Sequence, residues 1–317
     1  MKAIGGYFEL ELNKGEEYHK KAISLNTGRN ALEYILLANG YKKIYLPFFT
    51  CDVLLEPIQK LKIEVVFYNI NELLEPVFDF NSIKHNEAFL YTNYFGLKDS
   101  YINVLAKSCK NLIIDNAQSF YSKPIKGVDT FYSPRKFFGV PDGAYLYSNK
   151  NLDIDLEKDV SYNRFEHLLR RIDTSAEDGY SYFKENDEKL SKQPIKKMAK
   201  LTQLILSNID YRSCANKRRQ NFNYLHDILN KTNLLEVVVQ GESVPMVYPY
   251  WCEDIGLRER LINNKVYTAT YWPNILEWCT KDDLEFKLAS DIVYLPIDQR
   301  QTEKELVEII KIIKNEY

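Results

Sequence analysis

The chain has 317 residues, of which 45% are apolar and 27% charged, with a formal net charge of −2. This ordinary globular composition has room for two domains, and its 42 basic and 44 acidic residues are mixed, so no nucleic-acid surface is indicated. No apolar run reaches the roughly 18 residues of a membrane span, the N-terminus lacks a signal-peptide core, and five cysteines without a CxxC pair favour free thiols, which predicts a cytoplasmic protein without a metal cluster.

From residue 20 to about 150 the sequence alternates between helical and strand-like patterns. Helical spacing covers 31–38, 53–61 and 102–109, and apolar strand-like runs cover 44–46, 64–68, 88–92 and 112–114. This alternation predicts βαβ units around a mostly parallel sheet. A further strand over 144–148 is predicted to be antiparallel, because only a short loop precedes it.

Residues 151–200 are charged and poor in apolar clusters, and we predict a helix, a mobile loop and a second helix over 195–206. A second unit then begins near residue 207. Its pattern predicts helices over 212–229 and 258–264, strands over 234–239 and 246–251, and a terminal helix opened by the capping box of Thr302 and Glu305. The basic run Lys217-Arg218-Arg219 is interpreted as a solvated helix face. The predicted organisation is an N-terminal arm (1–20), a large domain (21–206) and a small C-terminal α+β domain (207–317).

Chemically suggestive residues gather in three segments: NTGRNAL (26–32), IIDNAQS (113–119) and SPRKFFGVPDGA (133–144). Each lies at the carboxyl end of a predicted strand or the start of a helix, where open α/β sheets place their ligands. Taken singly, each has an ordinary structural explanation. Asp115 would cap a helix, Lys136 would be a surface lysine in a turn, and Arg29 would be solvated.

The functional alternative uses the three segments together. Lys136, flanked by Phe137 and Phe138, suits Schiff-base chemistry, and Arg29 at a helix N-terminus suits an anion. In this order and spacing the segments resemble the DegT/DnrJ/EryC1/StrS family of pyridoxal 5′-phosphate (PLP)-dependent sugar aminotransferases, which have the aspartate aminotransferase-like type I fold. The matching stretches are GRNAL (28–32), LPFFTCD (46–52), TNYFG (92–96), IIDNAQS (113–119), FYSPRKFFGVPDGA (131–144), YWPNI (271–275) and IVYLPID (292–298).

The resemblance implies a role for each matched residue. Lys136 would form the Schiff base with PLP, Asp115 would pair with the pyridine nitrogen, and Gln118 would lie beside the phenolic oxygen. The helix start would hold the phosphate, and residues at three further positions would contribute to cofactor binding. The phosphate-binding start comprises Gly28, Arg29 and Asn30, and the further positions are Phe49, Cys51 and Ser133.

Two departures from the family pattern bear on the function. Phe131 occupies the position of a phosphate-binding serine, for which Ser133 or Tyr132 would have to substitute, and Cys51 occupies that of an aromatic residue that stacks on the cofactor, for which Phe49 would have to substitute. The loop residues Asn163, Arg164 and His167 would either close over the substrate or lie on a solvated helix.

The resemblance implies transfer of an amino group from an amino acid, glutamate in our expectation, to a keto sugar nucleotide. The pathway would be surface polysaccharide or related biosynthesis, and the enzyme would be a homodimer without nucleic-acid or membrane partners. Two alternatives stay open. One is a catalytically degenerate PLP-fold protein with a binding or regulatory role, and the other is a PLP enzyme of a different reaction type.

Overall fold

A computed structural model describes residues 4–13, 15–238 and 241–316. An eight-stranded sheet dominates the first half of the chain. In chain order its strands are β1 (Ile23–Leu25), β2 (Lys43–Pro47), β3 (Glu64–Ile70), β4 (Pro76–Val77), β5 (Glu87–Thr92), β6 (Leu112–Asn116), β7 (Asp129–Tyr132) and β8 (Ala144–Tyr147).

The strand order across the sheet is β1-β8-β7-β6-β5-β2-β3-β4. Strands β7, β6, β5, β2 and β3 are parallel to one another, whereas β8 runs antiparallel to both β7 and β1 and β4 runs antiparallel to β3. The predicted mostly parallel α/β sheet and its antiparallel strand after Lys136 are both confirmed. The pattern did not predict β1, β4 or β7, because strands this short offer too few residues for a periodicity to emerge.

Helices cover the sheet on both faces. On one face α1 (Gly28–Asn39) and α2 (Leu55–Lys60) pack their apolar sides into a core with the central strands, and Leu32, Ile35 and Leu36 of α1 are buried there. The other face packs against α3 (Asp99–Ser108) and against helices from the second half of the chain. Because both faces are covered, a central strand such as β6 is buried along its whole length.

The segment after the sheet is more helical than its composition suggests. It contains α4 (Glu166–Asp173), α5 (Ala176–Lys189) and α6 (Lys200–Leu206). The predicted mobile loop is therefore wrong, since α5 occupies most of it. Ser175 caps α5 by accepting from the Asp178 N–H, and Gly179 lets α5 approach α4 so closely that a Cβ there would lie 2.9 Å from the His167 carbonyl oxygen.

Within its described residues, the second half of the chain contains one long helix, a two-stranded antiparallel sheet and four shorter helices. The capping box of Thr302 and Glu305 is confirmed at the start of the last helix. The elements are α7 (Tyr211–Leu229), β9 (Val247–Tyr250), α8 (Leu257–Asn263), α9 (Ile275–Trp278), α10 (Leu284–Asp291), β10 (Val293–Pro296) and α11 (Glu303–Lys314).

The strand predicted over 234–239 is wrong for its described part, 234–238, and Val239 lies outside the described residues. The Leu234 N–H donates to the Trp251 carbonyl (2.7 Å), but no ladder follows from this contact.

One apolar core on the second face of the sheet continues into the second half of the chain. Phe49 and Tyr94 at the carboxyl ends of the parallel strands belong to the same cluster as Phe222 and Leu225 of α7 and Trp272 before α9. The division at residue 207 remains a prediction about domains, but this core brings both halves together at one edge of the sheet. In the part of the chain that the structure describes, no helix is long and apolar enough to cross a membrane.

Candidate active site

Asp115 lies near the carboxyl end of β6, in register with Thr92 of β5 and Phe131 of β7. The carboxylate is buried, and its Oδ1 accepts a hydrogen bond from the Ala117 N–H (2.8 Å), the local turn that aspartate forms with the backbone two residues on. Burial raises the pKa of Asp115 to about 6, while the charge of Lys136 and the Ala117 hydrogen bond act to lower it. The Asp115 carboxylate therefore lies close enough to Lys136 for the charge of the lysine to act on it.

Gln118 follows Asp115 on the turn after β6 and is fully buried. Its Oε1 accepts from the Phe95 N–H (3.0 Å), which fixes the orientation of the amide. Its Nε2 has no hydrogen-bond partner among the described residues. Because a buried amide donor without a partner is costly, Nε2 is positioned to bind an acceptor on a ligand.

Lys136 ends a short 3₁₀ turn, Pro134–Lys136, that follows β7 and is called the lysine turn below. Its side chain is exposed, and within the described residues its amine forms no hydrogen bond or ion pair. The amine lies 5.8 Å from the centre of the Tyr271 ring and 5.9 Å from that of Trp272. Sequence reasoning assigned no role to these two aromatic residues, although the YWPNI segment that contains them was singled out.

The loop after Lys136 closes through Gly143, whose φ of +105° favours glycine. A Cβ at this position would lie 3.2 Å from side-chain atoms of Met198 and Thr202. The Gly143 N–H donates to the Asn26 carbonyl (2.7 Å), which ties the lysine loop to the segment preceding α1. The spacing between the lysine and this glycine thus reflects a crowded backbone turn.

Cys51 and Phe49 lie on the loop after β2. Burial raises the pKa of the Cys51 thiol to about 11, and the charges of Lys136 and Asp115 both act on it, which places the thiol in the same electrostatic environment. Phe49 is fully buried, with its ring packed against Tyr94 (5.4 Å between centroids) and Trp272 (5.3 Å). The Phe49 ring therefore packs against Trp272 and Tyr94 in the protein interior.

The start of α1 presents both satisfied and open backbone groups. Thr27 caps the helix, and its Oγ1 accepts from the Asn30 N–H (3.1 Å) and donates to the Asn30 Oδ1 (2.6 Å). The N–H groups of Gly28 and Arg29 have no hydrogen-bond partner within the described residues. The Arg29 guanidinium is bound to Glu56 (2.8 Å), so the anion-binding capacity of this helix start resides in its two open N–H groups.

Phe131 takes up the space beneath this helix start. It is 1% exposed, and its ring lies 3.9 Å from where a Cβ on Gly28 would be. Ser133 is partly exposed and forms no side-chain hydrogen bond in the described part of the chain. The Phe131 ring is thus packed into the core, and within the described residues the Ser133 hydroxyl, two residues further on, has no hydrogen-bond partner.

The loop residues proposed to close over the substrate have different environments. Arg164 binds Asp142 of the lysine loop (2.8 Å) and Asp159 (2.6 Å), His167 is buried against Phe183, and Asn163 is exposed. The charge of Arg164 is thus used within the protein, where it anchors the lysine loop.

The interpretation of Lys217-Arg218-Arg219 as a solvated face is wrong for Arg218. This side chain is 2% exposed and its guanidinium points at the lysine turn. Helical periodicity is the sequence signal that could have identified this buried arginine. It places Arg218 on the same side of α7 as the buried Ala215, Phe222 and Leu225.

No known family model and no curated protein matches the chain. Solved structures do match it over nearly its whole length. The sugar aminotransferase CalS13 from Micromonospora echinospora is 14% identical, with a TM-score of 0.60, over 94% of this chain and 88% of CalS13. A DegT DnrJ EryC1 StrS aminotransferase from Brucella abortus is 14% identical, with a TM-score of 0.60, over 93% and 85% of the two chains.

Spr1654 from Streptococcus pneumoniae, solved in its PLP form, is 16% identical with a TM-score of 0.62, over 93% of this chain and 86% of Spr1654. The chain has the fold of the PLP-dependent aminotransferases. At this level of identity the likeness establishes the fold, and the site residues must carry any argument about chemistry.

Proposed function

We propose that the chain is a PLP-dependent aminotransferase whose cofactor is attached to Lys136. The observation that carries the proposal is made at one edge of the sheet. There the Asp115 carboxylate is buried under the influence of the Lys136 charge, and the Lys136 amine and Gln118 Nε2 have no hydrogen-bond partner among the described residues. These are the three kinds of group that an aldehyde, a pyridine nitrogen and a phenolic oxygen require. The fold adds support, because a solved neighbour of the same fold exists in a PLP form.

The residues of the chain would divide the work as follows. Bound PLP supplies an electron sink for the bonds at the substrate Cα. Asp115, an anion above pH about 6, would keep a proton on the pyridine nitrogen, and Gln118 would donate to the phenolic oxygen. The open N–H groups of Gly28 and Arg29 would bind the phosphate. Once free of the cofactor, the Lys136 amine would move a proton between the substrate Cα and the cofactor C4′.

For the substrates we propose an amino acid donor, glutamate, and a keto sugar nucleotide acceptor, in surface polysaccharide or related biosynthesis. Support comes from the resemblance of the motifs and from the fold shared with a protein described as a sugar aminotransferase. Tyr271 and Trp272 add two aromatic faces beside the Lys136 amine, a surface that suits the apolar faces of a sugar ring.

We also propose that the protein is a cytoplasmic homodimer. Exposed apolar side chains on α4 and α5, namely Leu169, Ile172 and Tyr180, form a surface that a second copy would cover. Helix α5 also contacts the turn that carries Lys136, since Arg135 in that turn binds Asp187 of α5 (2.6 Å). Light scattering of the purified protein tests this, and a monomer at micromolar concentration would contradict it.

A second candidate function is a binding or regulatory protein without turnover. The observation that favours it is Phe131, which replaces a phosphate-binding hydroxyl by a ring buried beneath Gly28. Such a protein would hold the cofactor weakly.

The deciding experiment is spectroscopic. Purified protein is mixed with PLP, its absorbance is recorded before and after borohydride reduction, and the reduced protein is digested and mapped. A yellow species that reduction fixes on Lys136 supports the cofactor site, and loss of the yellow colour when glutamate is added to the unreduced protein supports amino transfer. A label on Lys136 without any reaction with amino acids would favour the second candidate. A protein that never acquires the label would contradict the proposed aminotransferase and would also favour the non-catalytic candidate.

A further inference from the structure

The lysine turn is held from the other half of the chain by a buried arginine. Arg218 of α7 is among the largest fully buried side chains, and no carboxylate of the described residues lies within ion-pair distance of its guanidinium. Its three nitrogens donate instead to neutral oxygens: Nε to Gln299 Oε1 (3.0 Å), Nη1 to the Met246 carbonyl (3.0 Å) and Nη2 to the Phe137 carbonyl (3.3 Å).

Burial lowers the pKa of Arg218, and the carboxylate whose charge acts on it, Asp298, forms its own ion pair with Arg300 (2.7 Å). Burying a cation without a direct counter-ion is costly, so the acceptors it does contact gain strong, charge-assisted hydrogen bonds.

One of these contacts reaches the residue that follows Lys136, and Gln299 makes a second contact with the same residue. The Phe137 carbonyl accepts from Arg218 and also from Gln299 Nε2 (2.8 Å), and the guanidinium lies 4.6 Å from the centre of the Phe137 ring. Gln299 is itself oriented by the Arg218 Nε. The backbone and the ring of Phe137 are thus both held. Because Phe137 is the next residue after Lys136, holding it restricts the backbone that carries the lysine.

We propose that Arg218 and Gln299 are positioning residues that fix the turn carrying Lys136 and so set the direction of its amine. Neither residue contacts the amine itself. The functional consequence of this proposal rests on the proposed function, because the direction of the amine matters only if Lys136 bonds to a cofactor. The fixing of the turn is a property of the chain alone and can be measured without PLP.

The cofactor-free test is amide hydrogen exchange. The N–H groups of Phe137 and Phe138 both donate to the Pro134 carbonyl (3.0 and 2.9 Å), so a peptide spanning 134–140 reports the stability of the turn. Gln299→Leu and Arg218→Met should each accelerate exchange in this peptide by about tenfold, since each removes a buried hydrogen bond to Phe137. Arg218→Lys, which keeps a cation beside the ring, should give a smaller acceleration.

Matched controls come from neighbouring residues of the same type. Arg219 donates to the Glu242 carbonyl and to Asn216, and the Gln301 side chain approaches Asp298. Arg219→Met and Gln301→Leu should therefore leave exchange over 134–140 unchanged. If Arg218→Met does not fold, Gln299→Leu decides. Normal exchange over 134–140 in folded Gln299→Leu protein overturns the proposal.

The second readout uses PLP. In the variants the circular dichroism of the bound cofactor should weaken and the Kd for PLP should rise several-fold, while kcat falls and the KM for the amino donor is unchanged. A wild-type protein that takes up no PLP would contradict the proposed function and leave the exchange result standing. Faster exchange combined with unchanged dichroism and Kd would overturn the assignment of the two residues as positioning the amine.

Discussion

The two ends of the candidate site differ in how many of their polar groups have hydrogen-bond partners. Near the turn after β6 and the turn that carries Lys136, polar atoms lack a partner among the described residues. At the start of α1 most polar groups are bound within the chain. Gln118 Nε2 and the Lys136 amine have no partner among the described residues. At the helix start the Asn30 N–H donates to Thr27, the Arg29 guanidinium binds Glu56, and the Phe131 ring lies beneath Gly28. The comparison indicates that the chain would grip the cofactor mainly at its ring end.

The largest effect is expected from Lys136→Ala. Removing the amine should abolish borohydride-fixed attachment of PLP, because the Lys136 amine is the group proposed to form the bond. The exposed lysine contributes little to packing, so the fold should be retained. The measurement is peptide mapping after reduction, with circular dichroism of the backbone to verify folding. Lys126→Ala, in an exposed loop, is the control and should label normally. Label on the protein at normal stoichiometry in Lys136→Ala would place the attachment elsewhere.

Asp115→Asn should lower kcat by about 100-fold or more while PLP still attaches, because the amide cannot hold the proton on the ring nitrogen. Single-turnover kinetics with glutamate measures this. A kcat within a few-fold of the wild-type value would remove Asp115 from its role.

Asp115 also predicts a pH dependence in the cofactor-free protein. Its pKa is raised to about 6 in the folded state, so the folded state binds more protons than the unfolded one between pH about 4 and 6, and this carboxyl costs stability as pH rises through that window. In Asp115→Asn the titrating carboxyl is replaced by an amide, so this pH dependence is absent. Relative to wild type, the variant should gain about 3 kcal/mol in free energy of unfolding between pH 4 and pH 8. A difference that does not change with pH, in urea titrations at both values, would contradict the raised pKa.

Phe131→Ser tests the end of the site at the start of α1, where the phosphate would bind. The new hydroxyl should tighten PLP binding by up to about tenfold, at a cost in stability of about 3 kcal/mol for removing a buried ring. Phe131→Ala makes the same cavity without the hydroxyl and is the matched control. Equal Kd values for PLP in the two variants would mean that position 131 does not reach the phosphate.

The smallest effect is expected from Glu56→Gln. Releasing the Arg29 guanidinium from its partner should make the helix start more positive and lower the Kd for PLP about threefold. The comparison variant is Glu64→Gln, which removes the ion pair to Lys43 at the opposite end of β2 and β3 and should leave the Kd unchanged. An unchanged Kd in Glu56→Gln as well would show that Arg29 stays away from the cofactor.

The sequence predicted the parts of the fold and site that depend on local pattern. The alternation of apolar runs and helices was enough for the parallel sheet and placed Asp115 at the end of a strand, whereas β7, the strand that precedes Lys136, was not predicted. Pattern alone could not anticipate α5, whose composition is loop-like and whose stability comes from its cap and its close packing on α4. It also could not place Arg218 or Trp272 beside the lysine turn, because these contacts join residues distant in sequence.

The pairing of β1 with β8 bears on how the protein is made. Leu25 and Ala144 are neighbours in the sheet but are separated by about 120 residues, so at typical elongation rates β1 waits roughly 6 to 24 s on the ribosome before its partner is synthesised. During that interval β1 has no strand to pair with among the residues already made, since its sole neighbour in the described sheet is β8. The edge of the sheet nearest the N-terminus is therefore the last to close, and the helix start that it precedes takes its final position only after the lysine turn has emerged.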